Sequence, residues 1–125
     1  MNGNGQVRIT DLSFRFSVDI IKYCEKLNKV KQQVIANQLL RSGTAIGALV
    51  HEAQNAESRK DFIHKMKIAL KEAEETEYWL NLSVEVSNIP DCQNLNKEIR
   101  SIILVLAKII TSSLRNQNPP KPEQQ

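Results

Sequence analysis

The chain has 125 residues, 41% of them apolar and 25% charged, with seventeen Lys and Arg against fourteen Asp and Glu for a net charge of +3. That is one domain's worth of sequence. Eight Gly and Pro in all exclude collagen and wholesale disorder, and the mild charge excludes a histone-like tail. Two cysteines, Cys24 and Cys92, with no CxxC and no clustered histidine, exclude a disulfide scaffold and a zinc module. No cofactor or metal is expected. The first residues lack an apolar leader, and the most apolar segment, Ile99 to Ile110, is interrupted by Arg100 and Lys108. It falls short of the roughly 20 residues that span a bilayer, so a cytoplasmic protein without membrane contact is expected.

Residues 1–10 are Asn- and Gly-rich and read as a disordered tail. The first predicted helix runs from about Ser13 to Asn28, with Ile20, Ile21, Cys24 and Leu27 as its apolar stripe. Lys29 to Lys31 break the pattern. A second helix, about Gln32 to Asn55, carries Ile35, Leu39, Ile46, Val50 and Ala53 on one face. Ser58 followed by Asp61 reads as an N-cap with an acid in the first turn. The third helix then continues through Phe62, Met66, Ala69, Leu70, Ala73 and Leu80 to about Ser87. Pro90 and Asp91 turn the chain into a fourth helix, about Asn94 to Leu114, and residues 116–125 read as a second tail. Short connections between amphipathic helices predict an all-α, antiparallel up-down-up-down four-helix bundle over 11–115.

Three segments ask for more than a bundle core. Ile102 to Ala107 is an unbroken apolar run, and at 100° per residue it covers the whole circumference of a helix. A homo-oligomer follows from it, with Ile103, Val105, Leu106 and Ile110 as interface candidates. Gly43 and Gly47 stand mid-helix, where each costs about 1 kcal/mol relative to Ala; close packing of a neighbouring backbone is the expected offset. Charge is also segregated. Residues 1–60 carry +4, residues 61–92 carry −4 and residues 93–125 carry +3.

Lys22, Lys26, Lys29, Arg41, Arg59, Lys60 and Lys65 are candidate phosphate contacts for RNA or DNA, with Tyr23 the only aromatic beside the first group. Catalytic signals are thin. His51-Glu52 starts like HExxH, but Asn55 stands where the second histidine belongs. No triad and no carboxylate pair stands out, so no enzyme is expected. Arg59 and His64 have the R-x4-H spacing of HEPN-type ribonucleases, in which the guanidinium steadies phosphate charge and the imidazole moves a proton. A weak metal-independent ribonuclease is therefore one alternative, and a protein-binding adaptor without nucleic-acid affinity is another.

Leu40-Arg41-Ser42-Gly43-Thr44-Ala45-Ile46-Gly47-Ala48, then Glu52-Ala53-Gln54, Ser58 to Lys65, Ile68 to Ala73 and Glu77 to Leu80 form one connected resemblance. It is similar to the four helix bundle protein family, the bacterial 23S ribosomal RNA intervening-sequence proteins. The resemblance implies a bundle assembled as a ring-like homopentamer without established catalysis. It also implies likeness to the basic, nucleic-acid-binding accessory proteins of diversity-generating retroelements, whose partner is a reverse transcriptase. The family usually carries Ser in place of Ala45 and Asn in place of Leu49. Their replacement here points to a packing role for this helix face.

Overall fold

The computed structural model describes residues 8–86 and 88–117. Four α-helices account for nearly all of them: α1 Ile9–Lys29, α2 Gln33–Ala53, α3 Arg59–Glu85 and α4 Gln93–Gln117. Successive helices pack side by side, and α1 closes on α4 to complete an antiparallel bundle.

The helix ends follow local chemistry. Ile9 and Thr10, expected in the tail, belong to α1: Ile9 is buried and its carbonyl accepts the Ser13 hydroxyl at 2.7 Å. At the other end α4 runs to Gln117, past the boundary expected at residue 115. The rest of both expected tails, residues 1–7 and 118–125, lies outside the described residues. α1 stops in a Schellman arrangement, in which the Gln32 N–H reaches the Leu27 carbonyl at 2.9 Å and the Lys31 N–H reaches that of Asn28 at 3.1 Å. Lys31 takes the left-handed conformation this closure requires, with φ 63°. α3 begins as expected, with the Asp61 N–H donating to Ser58 Oγ at 3.0 Å.

The core is a column of Phe16, Ile20 and Leu27 from α1, Leu39, Ile46 and Val50 from α2, Met66 and Leu80 from α3, and Ile99, Ile102 and Leu106 from α4, all essentially without solvent contact. α1 and α2 approach closely at the glycines. A Cβ on Gly43 would stand 3.0 Å from two side-chain carbons of Ile20, and one on Gly47 would stand 3.2 Å from the Ser13 carbonyl oxygen. Between α2 and α3 lies one buried polar contact, Thr76 Oγ1 donating to Ser42 Oγ at 2.9 Å, while Ser42 donates to the Gln38 carbonyl.

The apolar run of α4 needs correction. Ile103, Leu106 and Ile110, taken as outward interface residues, are buried in the chain's own core, and Val105 packs half-buried against it. α4 touches both α1 and α3, so its buried arc is wide enough to take most of the run. Only Leu104 is left out, 60% exposed. A run of exposed apolar side chains lies instead on α1, where Ile21 is exposed although it was expected in the core.

Candidate nucleic-acid interface

The seven expected phosphate contacts do not form one surface. Arg41 is held by Glu72 at 3.3 Å and by Glu75, and Glu75 also accepts the Trp79 indole N–H at 3.0 Å. Lys65 pairs with Asp61 at 3.4 Å, one turn back on the same helix. Their cations are engaged inside the chain. Lys22, Lys26 and Lys29 are exposed along the second half of α1. Lys22 and Lys26 line a groove of about 300 Å³ whose walls include Asp19, Asp91 and Glu98, so acids share that site. Tyr23 offers no stacking face there, because it is buried and donates its hydroxyl to the Pro90 carbonyl at 2.6 Å. Burial next to Cys92 also pushes its phenol well above the ordinary range.

Arg59 and Lys60 stand exposed at the start of α3. Lys60 begins a stripe that the sequence reading missed. Lys67 and Lys71 follow it at i+7 and i+11, on the same outward side of the helix, and all three are exposed. α4 contributes Lys108 and Arg115, likewise exposed and seven residues apart. Two contacts set the register of α4 on α3. Cys92 lies against the Leu80 carbonyl, and Arg100 forks onto Glu77 at 2.6 to 3.0 Å. As numbers rise along α4 they fall along α3, which puts Lys108 near the level of Lys71 and Arg115 near the first turn of α3. None of these five cations enters an ion pair among the described residues. Glu74 marks the boundary of the basic surface, and the acids beyond it, Glu75 and Glu77, are occupied by Arg41 and Arg100.

At its two terminal turns this charge distribution works against the helix that bears it. Cations are favoured at helix C-termini and anions at N-termini. α3 has Arg59, Lys60, Lys65, Lys67 and Lys71 in its first half and Glu72, Glu74, Glu75, Glu77 and Glu85 in its second. Only Asp61 in the first turn follows the rule. Lys67 and Lys71 also repel one another at i,i+4. Helix stability does not account for this pattern.

Arg59 and His64 do not converge. Five positions apart at 100° per residue, they leave α3 about 140° from one another, and neither lines any of the grooves described here. No set of three or more His, Cys, Asp and Glu able to hold a metal is present among the described residues. Cys24 and Cys92 are free and buried, and burial pushes the Cys24 thiol up to about 11, away from reactive thiolate chemistry. None of the described helices is long and apolar enough to cross a membrane.

Residues 5–110 match the family described as 23S rRNA-intervening sequence protein. Among solved structures, the chain is similar to a protein of unknown function of the S23 ribosomal protein family from Bacteroides thetaiotaomicron. The two share 42% sequence identity with a TM-score of 0.77, over 82% of this chain and 98% of that one. No curated protein matches.

Proposed function

This chain belongs to the 23S rRNA-intervening sequence protein family, and we propose that it works as a non-enzymatic, homo-oligomeric module that binds RNA or DNA in the cytoplasm through the α3–α4 basic surface. One observation carries this reading: Lys60, Lys67, Lys71, Lys108 and Arg115 are exposed on adjacent helices and enter no ion pair among the described residues. Phosphates bound there would release counterions, so affinity would fall steeply with salt. None of these five cations lines the α1–α4 or α1–α2 grooves formed by the described residues, which favours backbone contact over sequence readout. The ring-like pentamer implied by the resemblance would repeat the surface five times and multiply weak contacts by avidity.

Filter binding of the full chain to a structured RNA and to a duplex DNA, across a salt series, tests the proposal. Retention that declines linearly in log–log form as salt rises is expected. No retention of either at low salt removes it. Light scattering at micromolar concentration tests the assembly, and a monomer there defeats that part.

A further inference from the structure

We infer that the outer trough between α1 and α2 is the seat of a second copy of this chain; the inference rests on the homo-oligomeric reading above and assigns its surface. The trough holds about 410 Å³ and is floored by the small residues Thr44, Gly47 and Ala48 of α2. Phe14 and Ile21 of α1 form its other wall, and they are 68% and 44% exposed. With Val18, which is also exposed, they make a ridge at i, i+4 and i+7, a second apolar stripe beside the one α1 buries in the core.

The composition of the chain narrows the occupant. Residues 1–7 are Met-Asn-Gly-Asn-Gly-Gln-Val and residues 118–125 are Asn-Pro-Pro-Lys-Pro-Glu-Gln-Gln, so neither end supplies an apolar side chain series to fill a helix-wide trough. The α1–α2 side supplies it itself, since the ridge is bulky where the trough is small. Electrostatics permits the contact. Over its length α2 carries only two formal charges, Arg41 and Glu52, and Arg41 is turned onto α3. α3 carries eleven. A surface that meets its own copy must avoid opposing like charges, and its α2 wall has almost none to oppose. Along the outward side of α1, Asp11 stands before the ridge, while Lys22, Glu25 and Lys29 follow it, so antiparallel seating sets an acid against a net basic end. A ridge seated in one direction repeats around a ring, and reciprocal seating closes a dimer; both use the same residues.

Light scattering and circular dichroism of the full-length wild type, Phe14→Glu and Leu104→Glu decide the matter. Wild type and Leu104→Glu are expected to assemble, and Phe14→Glu to run as a monomer with unchanged helix content. Mixing singly substituted Phe14→Cys and Ala48→Cys chains under oxidation gives the positive readout, a disulfide between chains. An assembled Phe14→Glu protein without that crosslink overturns the assignment while leaving the oligomer intact. Dissociation by Leu104→Glu alone also overturns it, since it moves the contact to α4. A monomeric wild type overturns both the assignment and the oligomeric reading, leaving the trough to a different protein.

Discussion

The two long sides of this bundle have opposite characters. On the α1–α2 side a Cβ at Gly43 or Gly47 would stand 3.0 to 3.1 Å from its nearest neighbour on α1, and the outer trough is apolar, with only two formal charges along α2. On the α3–α4 side the outer surface is densely charged, crossed by the Arg100–Glu77 fork and bearing five exposed cations that enter no ion pair among the described residues. Neither pattern is needed to hold four helices together. The buried column of Phe16, Ile20, Leu39, Met66, Ile99 and Leu106 does that from within. The contrast is one of surface chemistry, an apolar trough on one side and exposed cations on the other.

The largest effect is expected from removing the basic side. Replacing Lys67, Lys71 and Lys108 together by Gln deletes three candidate phosphate contacts. The slope of log affinity against log salt should become shallower by about two to three units, at roughly 0.7 to 0.9 per phosphate. The same triple change on α1, at Lys22, Lys26 and Lys29, is expected to alter the slope far less, because Asp19, Asp91 and Glu98 share that groove. Equal effects from the two triples would erase the distinction between the surfaces.

Packing comes next. Gly43→Ala gains about 1 kcal/mol of helix propensity but drives a Cβ to 3.0 Å from Ile20, a stiff β-branched side chain with no solvent to move into. Overpacking costs about 1–3 kcal/mol, so a net loss of about 1 kcal/mol is expected in urea unfolding. A more stable variant would show that the close approach has slack. Thr76→Val, on the α2–α3 contact, should cost about 1 kcal/mol or slightly less. It removes the hydrogen bond to Ser42, but Ser42 keeps its own acceptor in the Gln38 carbonyl.

The fold was legible because its signals are local. Period, the Ser58 cap and short turns each depend on neighbours in sequence, and the four helices lie within a few residues of expectation. What failed needed three-dimensional knowledge. The α4 run looked excessive because a helix with two flanking partners buries more of its circumference than one stripe. Ile21 looked like core because it stands three residues before Cys24, a spacing that suits a stripe, yet Ile20 takes the inward position and Ile21 faces the trough. Arg41 looked available because Glu72 and Glu75 are more than thirty positions away along the chain. The α3 stripe was the avoidable miss. Lys60, Lys67 and Lys71 repeat at helical spacing, and that is written in the sequence.

The smallest effect concerns the α1–α4 seam that joins the two sides. There Glu98 faces Asp19 across a partly buried contact, with Arg15 nearby on α1 and with Lys22 and Asp91 lining the adjoining groove. Burial first, and then the Asp19 carboxylate, push the Glu98 carboxyl up to about 7, with Arg15 acting weakly the other way. The folded chain therefore holds this proton at pH values where the unfolded chain has released it. Between the ordinary glutamate range near 4.5 and about 7, the folded state binds more protons, and stability falls as pH rises. Glu98→Gln keeps the shape and removes the titration. Its melting temperature should exceed that of wild type at pH 8, with the gap closing towards pH 4.5. A gap that is constant with pH would mean that Glu98 ionises freely, and that the seam is as open to water as the outer faces it divides.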